Sequence, residues 1–126
     1  MADPPTTHER ELERFHTIVE VAGEPIYTLN EAGRFTYVND ALMEATGYSR
    51  AELLGADVSL LLDERDIERC VDAIETLADT GERSKTVEIG VETAEGVRRE
   101  AEVTIALLPD EEGESAGTVG VARAID

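Results

Sequence analysis

The sequence predicts one α+β domain that combines short helices with strands. A chain of 126 residues with 41% apolar residues is large enough for one compact core and too small for two. Alternating apolar and polar residues predict strands near both ends of the domain, and a segment of helical spacing lies between them. The predicted order is a helix, two strands, several short helices, one long helix and three strands.

The N-terminal part is predicted to lie outside the main domain, which we place at residues 24–126. Residues 1–7 contain two prolines and no apolar anchor, so we expect a flexible lead. Residues 8–23 are predicted to form an amphipathic helix, because apolar residues recur there at intervals of three and four. They are Leu12, Phe15, Val19 and Ala22.

A β-hairpin is predicted at the start of the main domain. Residues 26–30 and 34–38 have strand-like composition, and Glu31-Ala32-Gly33 between them is typical of a turn.

Cap residues set the bounds of the predicted helices. Asn39 caps a helix over residues 40–46, and Ser49 with Glu52 has the spacing of a capping box. Asp63 opens a longer helix that ends at Gly81. Its predicted apolar face consists of Ile67, Cys70, Val71, Ile74, Leu77 and Ala78.

Three strands are predicted after the long helix, over residues 87–92, 97–108 and 117–125. Apolar residues alternate with acidic or small ones in each of them, and Ala94-Glu95-Gly96 provides the first turn.

The charge of the chain excludes several classes of partner. Asp and Glu number 29 against 11 Lys and Arg, a formal net charge of −18. Such a chain repels phosphate backbones and anionic lipids, so we expect neither nucleic-acid binding nor membrane contact. No secretion signal and no apolar run of about 18 residues is visible, so we expect a cytoplasmic protein.

The acidic surface also resembles that of proteins from salt-accumulating halophilic microbes. At about 1 M salt the screening length falls to about 3 Å, which relieves the repulsion between surface carboxylates. An acidic mesophilic domain is the alternative. The single cysteine, Cys70, excludes an internal disulfide, and its simplest interpretation is a small core residue.

Three segments in the predicted order resemble the PAS sensor family. They are residues 30–39 (NEAGRFTYVN), 46–55 (TGYSRAELLG) and 117–121 (GTVGV). The resemblance spans residues 9–125 and implies a five-stranded antiparallel sheet in the order 2-1-5-4-3, with short helices on one face enclosing a pocket. It also implies the sensory part of a larger signalling protein, such as a histidine kinase or a taxis transducer, with a transcriptional regulator as the next choice.

The motif sequences are most similar to the light-oxygen-voltage branch of that family, yet the flavin-binding residues of the branch are absent. The position of the photoreactive cysteine is Val58. The positions that hold the flavin phosphate and ring carry Ser59, Leu62, Val91, Ala101 and Ala122. We therefore expect neither FMN nor FAD. We also expect no haem, because His8 and His16 both precede the main domain.

The chain lacks the residue sets of an enzyme or a metal site. It has no Gly-rich phosphate loop and no Ser-His-Asp or Cys-His set. The acidic loop at residues 110–114 lacks the ordered ligand spacing of a calcium site. We expect no catalysis by this chain and no bound metal.

The inner face of the predicted sheet and the long helix supply the candidate pocket. Because this face is apolar with small members, we expect either a compact, planar, mostly apolar ligand or a closed, ligand-free module for dimerisation or signal relay. The candidate pocket residues are Tyr27, Leu29, Thr46, Val58, Leu62, Ile67, Val71, Ile74, Val87, Ile89, Val91, Ala101, Val103, Thr118, Gly120 and Ala122.

The other face of the last strand is the candidate surface for dimerisation and output. Its large apolar residues should be covered by the N-terminal helix, either of the same chain or of a partner in a homodimer. The candidates are Val119, Val121 and Ile125 on the strand, with Leu12, Phe15, Val19 and Ala22 on the helix. An output domain linked covalently to the chain is the implied recipient of the signal.

Overall fold

The computed structural model describes residues 23–109 and 115–125. The predicted helix over residues 8–23 and the acidic loop at residues 110–114 lie almost entirely outside the described residues. The elements are strands β1 (Ile26–Leu29) and β2 (Phe35–Val38), helices α1 (Asp40–Thr46) and α2 (Arg50–Leu53), a 3₁₀ helix (Val58–Leu60), helix α3 (Glu64–Thr80), and strands β3 (Lys85–Glu92), β4 (Arg98–Pro109) and β5 (Ser115–Ala124).

The five strands form one antiparallel sheet in the order β2-β1-β5-β4-β3, which confirms the predicted fold. Directly paired residues share a face of the sheet. Tyr27 pairs with Gly120, and Gly120 pairs with Ile105, so these three lie on the inner face, toward α3. Val121 pairs with Ile26 and Thr104 on the outer face.

The predicted helix caps are confirmed. The Asn39 side chain accepts a hydrogen bond from the Leu42 amide, and Ser49 and Glu52 form the capping box. Asp63 accepts from the Asp66 amide, and Gly81 ends α3 in a left-handed conformation. The 3₁₀ helix, which Asp57 caps, was not predicted.

Both edges of the sheet are partly covered by other segments of the chain. The Gly55 amide donates to the Phe35 carbonyl, and the Phe35 amide donates to Ala56, so the segment after α2 covers the β2 edge. On the β3 edge, Arg69 donates to the Glu88 carbonyl and Asp66 accepts from the Gly90 amide. Cover at these positions disfavours pairing with strands of other chains.

The buried face of α3 agrees with the predicted one at Leu77, which is buried, and at Ile67, Cys70 and Ile74, which pack against the core, but it differs elsewhere. Asp66, Ala73 and Leu77 are buried, whereas Val71 is 44% exposed. Ala78 is exposed as well. The helix lies along the edge of β3, and the Asp66 carboxylate satisfies the Gly90 amide at 3.3 Å. A hydrogen bond to the sheet edge, which apolar periodicity does not reveal, therefore selects a buried carboxylate.

The hydrophobic core lies between the inner face of the sheet and the helices. Leu53, Leu77, Val38 and Val103 are its most buried large side chains. Within the described part of the chain, no helix is long and apolar enough to cross a membrane.

Candidate functional site: a pocket beside helix α3

A pocket of about 460 Å³ lies between α3, the β1–β2 turn and the start of the 3₁₀ helix. Ligand sites for small molecules commonly have about 300 to 1,000 Å³, so the volume suits a compact molecule. Its wall is mainly apolar, and α3 contributes Ile67, Cys70, Val71 and Ile74.

The pocket opening is built by hydrogen bonds of the β1–β2 turn. The Asn30 side chain accepts from the Ala32 and Arg34 amides, both at 3.0 Å. The Val58 amide donates to the Gly33 carbonyl at 2.9 Å, which joins the turn to the 3₁₀ helix. The opening is therefore fixed by backbone contacts between segments that are distant in sequence.

Acidic residues stand at this opening. Glu31 and Asp57 both line it. A hydrogen bond from the Ser59 amide, with a further contribution from Arg34, lowers the pKa of Asp57. Asp57 is thus ionised at neutral pH, and the opening carries negative charge.

Close packing of β1 on β5 requires glycine where β1 joins the β1–β2 turn. Gly117 has a φ of +129°, and a Cβ atom there would overlap the Leu29 carbonyl oxygen. Gly117 and Leu29 both line the pocket. A larger residue at Gly117 would separate the two strands that form this wall.

The Tyr27 ring fills the space above Gly120. A Cβ atom on Gly120 would overlap the far end of that ring. The ring also meets Phe35 edge to face, with centroids 5.7 Å apart and an interplanar angle of 82°. The small residue at Gly120 therefore accommodates an aromatic side chain of the protein itself.

Tyr27 and Cys70 lie near each other between the sheet and α3. Burial raises the pKa of the Tyr27 phenol, and the Cys70 thiol raises it further. Burial raises the pKa of Cys70 to about 11, with a smaller contribution from Asp66. Both groups are therefore protonated and uncharged at neutral pH.

The structure brings part of the predicted pocket residues together. Those that line the pocket are Leu29, Val58, Leu62, Ile67, Val71, Ile74 and Thr118.

The other candidates lie elsewhere, and among them Tyr27 and Gly120, which pack on each other, are not part of the pocket wall. Ile89, Ala101 and Val103 are buried in the core, and Val91 packs against it. The Thr46 hydroxyl donates to the Leu42 carbonyl at the end of α1. Two further candidates lie away from the pocket wall: Val87, in a groove on another side of α3, and Ala122, whose amide donates to the Pro25 carbonyl.

Several lining residues were not predicted. Cys70 was interpreted as a core residue, although its spacing from Ile67 and Ile74 places all three on one side of α3. The sequence pattern did not identify the β1–β2 turn and Asp57 as pocket residues, because the opening forms only when these segments meet in the folded chain. The unpredicted lining residues are Asn30, Glu31, Ala32, Gly33, Asp57, Cys70, Ile105 and Gly117.

The predicted output surface is described only in part. Val119 and Val121 lie on the outer face of the sheet, opposite Thr118 and Gly120. Ile125 is 46% exposed. The predicted helix residues Leu12, Phe15, Val19 and Ala22 lie outside the described residues.

Comparison with known proteins identifies the family. The sequence profile of the PAS fold matches residues 13–125. The chain belongs to the PAS fold family. PAS domains are generally non-catalytic sensory modules of histidine kinases and other signalling proteins, and they commonly dimerise and connect to output domains. No protein of curated function matches the sequence.

Solved structures show the same fold at low sequence identity. A PAS domain from Colwellia psychrerythraea is 19% identical with a TM-score of 0.78, and covers 91% of this chain and 97% of its own. A PAS domain from a two-component sensor histidine kinase is 23% identical with a TM-score of 0.72, covering 94% and 100%. The PAS domain of an HTR-like protein from Haloarcula marismortui is 21% identical with a TM-score of 0.67, covering 93% and 99%.

Proposed function

We propose that this PAS domain is the sensory module of a larger signalling protein and that its pocket binds a compact, planar, mostly apolar molecule. The observation that carries the proposal is the largely apolar pocket beside α3, bounded by the β1–β2 turn. A ligand bound there would contact β1, β4 and β5 through Leu29, Ile105 and Thr118. A ligand would thus act on the central strands of the sheet.

The same residues support a ligand other than flavin or haem. Val58 and Leu62 present apolar side chains to the pocket, and the Tyr27 ring occupies the space above Gly120. Each unpaired carbonyl or N–H group of a flavin ring would cost about 1 to 3 kcal/mol in such surroundings. Among the described residues no group of three His, Cys, Asp or Glu side chains is placed to hold a metal ion.

Native mass spectrometry of the purified domain tests the ligand. Val71→Trp would fill the pocket from its exposed rim, where an indole can be added without disturbing the core. Ala78→Trp, two turns further along the same helix and also exposed, is the matched control. We expect a retained small molecule with the wild type and with Ala78→Trp, and its loss with Val71→Trp. Equal retention by both variants would contradict this pocket as the site.

A ligand-free dimerisation and relay module is the second candidate. It is supported by the apolar outer face, where Val121 lies beside Ile26 and Val119 beside Ala106. In a homodimer the predicted helix over residues 8–23 would cover this face. Val121→Glu and a chain that begins at Gly23 are the variants, and light scattering at high salt measures their mass. If neither variant changes the mass or the stability, the outer face is not an interface.

The parent protein that we propose is a sensor histidine kinase or a taxis transducer in a salt-rich cytoplasm. The family and the PAS domain of a sensor histidine kinase among its structural neighbours support the first part. The net charge of −18 supports the second. Sequencing the coding region that follows Asp126 would show whether a kinase or transducer output domain is attached.

A further inference from the structure

The pocket beside α3 has an apolar side and a polar side. Helix α3 lines it with aliphatic side chains and with the uncharged thiol of Cys70. Polar side chains line it from the β1–β2 turn, from the cap of the 3₁₀ helix and from β5. They are Asn30, Glu31, Asp57 and Thr118. A ligand with one apolar side and one polar end therefore matches the wall.

Thr118 is the buried polar residue of this wall. It lies on the inner face of β5 opposite Leu29, the last residue of β1, and only 8% of it is exposed. Its hydroxyl forms no hydrogen bond with the other residues that the structure describes. A hydroxyl in such surroundings gains free energy when a ligand atom bonds to it. Thr118 thus offers the pocket a hydrogen-bonding group next to the β1–β2 turn.

Both charged side chains of the wall are carboxylates. Glu31 lies in the β1–β2 turn, two residues beyond Leu29, and Asp57 caps the 3₁₀ helix. The Asp57 carboxylate accepts from the Ser59 amide at 2.9 Å, which fixes its position and lowers its pKa. No Lys, Arg or His is among the described residues that line the pocket.

Arg34, the basic residue that follows the turn, does not neutralise this charge. Its guanidinium donates to the Gly55 carbonyl at 2.8 Å, and it is not part of the pocket wall. It contributes less to the lowered pKa of Asp57 than the Ser59 amide does. Two carboxylates against one guanidinium leave the polar side of the pocket negative.

We propose that the pocket selects a compact amine, with its apolar body against α3 and its protonated nitrogen at Asp57 and Glu31. This inference rests on the ligand site proposed above and names the chemical class of its ligand. The ammonium group donates to the two carboxylates, and the Thr118 hydroxyl accepts a further hydrogen bond from the polar end of the ligand. A carboxylate ligand of the same shape is repelled by both acids.

Three indane derivatives of similar shape test the charge of the ligand. 2-Aminoindane is a cation at neutral pH, indan-2-ol is uncharged, and indane-2-carboxylate is an anion. Amide chemical shifts of the labelled domain measure each affinity and locate the bound probe. We expect 2-aminoindane to bind more tightly than indan-2-ol by a factor of about 3 to 10, from contacts with two exposed carboxylates. Indane-2-carboxylate should bind most weakly.

A charge-removing double variant tests the two carboxylates. Glu31→Gln with Asp57→Asn keeps the side-chain shapes, and asparagine remains a good helix cap. This variant should lower the affinity for 2-aminoindane to that for indan-2-ol and leave the affinity for indan-2-ol unchanged. Asp79→Asn with Glu82→Gln makes the same change in net charge at exposed positions outside the pocket wall. That matched control should keep the preference for the amine.

Thr118→Val tests the hydroxyl, because valine keeps the branched shape. It should weaken the binding of 2-aminoindane and of indan-2-ol by about 2- to 10-fold each, the range of one net hydrogen bond. The preference for the amine should remain. Unchanged affinities for both probes would overturn the role of Thr118.

The outcomes separate this inference from the proposed function. Equal affinities of the three probes at the pocket, or a preference for the amine that survives removal of both carboxylates, would overturn amine selection and leave an apolar ligand site standing. Equal loss of the preference in the control variant would assign it to the overall charge and would also overturn the inference. Absence of pocket shifts with every probe would overturn the ligand site and amine selection together. If the double variant does not fold, the order of the three affinities in the wild type still decides.

Discussion

Because Gly120 contacts Tyr27, we expect Gly120→Ala to destabilise the domain, whereas glycine-to-alanine changes in strands generally stabilise proteins. Alanine in place of a strand glycine normally stabilises a protein by about 0.5 to 1 kcal/mol, because the unfolded chain loses freedom. Gly120 has no positive φ that would forbid the change. At Gly120, however, the added Cβ atom would overlap the Tyr27 ring.

The size of the effect follows from how firmly the ring is held. Tyr27 lies edge to face with Phe35, which is 2% exposed, and it packs against the core. Overpacking in a core costs about 1 to 3 kcal/mol. After subtraction of the usual gain, we expect Gly120→Ala to reduce the free energy of unfolding by up to about 2.5 kcal/mol.

Gly90 provides the matched control. It is also a strand glycine without positive φ, and a Cβ atom there would overlap the guanidinium of Arg98. The Arg98 side chain is 54% exposed and can move aside. We expect Gly90→Ala to cost less than Gly120→Ala, because the exposed end of Arg98 can shift while the Gly90 amide still donates to the buried Asp66 carboxylate.

Urea unfolding at high salt measures both variants, and a double-mutant cycle assigns the cause. Tyr27→Leu removes the ring atoms that would overlap the new Cβ and keeps an apolar side chain. In that background Gly120→Ala should be neutral or stabilising, which gives a coupling energy of about 1 to 3 kcal/mol. Destabilisation of equal size in both backgrounds would refute the steric explanation. So would a Gly120→Ala single variant that is more stable than the wild-type domain.

Three further predictions concern charge and protonation. Glu88 and Glu102 are directly paired, so Glu88→Gln should stabilise the domain in dilute buffer by about 0.5 kcal/mol; thermal melts should show the gain shrinking in molar KCl. Hydrogen bonding to the Asp66 amide lowers the pKa of Asp63. The ionised Asp63 carboxylate therefore contributes fully to the stability of the fold above the ordinary aspartate pKa of about 3.9, and this contribution is lost as pH falls through the lowered pKa. Melts from about pH 7 to pH 3 should therefore fall less steeply for Asp63→Asn than for the wild type; parallel curves would contradict this. With a pKa of about 11, Cys70 should react slowly with iodoacetamide at neutral pH, and a rate that levels off near about pH 8.5 would contradict the burial of its thiol.

Local signals explain why the elements were predictable. A cap such as Asn39 or Asp63 satisfies amides within three residues along the chain, so its effect can be inferred from neighbouring residues alone. Strand alternation likewise assigned Val119 and Val121 to one face and Gly120 to the other. The sheet order came from the resemblance to the PAS family, since no local pattern specifies which strands are neighbours.

The site depends on contacts that no local pattern contains. Periodicity placed Ala78 on the apolar face of the long helix, whereas the edge of β3 selects Asp66 and Ala73 for burial. Sequence reasoning found small residues on the inner face and left open whether a ligand or the protein fills that space.

The sequence by itself determined the fold family, the bounds of α1 and α3, the inner and outer faces of the strands, and the high negative charge, because these follow from composition, caps, periodicity and motifs. Only the tertiary structure decided that the Tyr27 ring covers Gly120 and that the β1–β2 turn meets Asp57 and Val58 to open a pocket on Cys70. The physical reason is that a pocket is the volume left between elements. Its shape depends on rotamers and on distances between residues far apart in the chain.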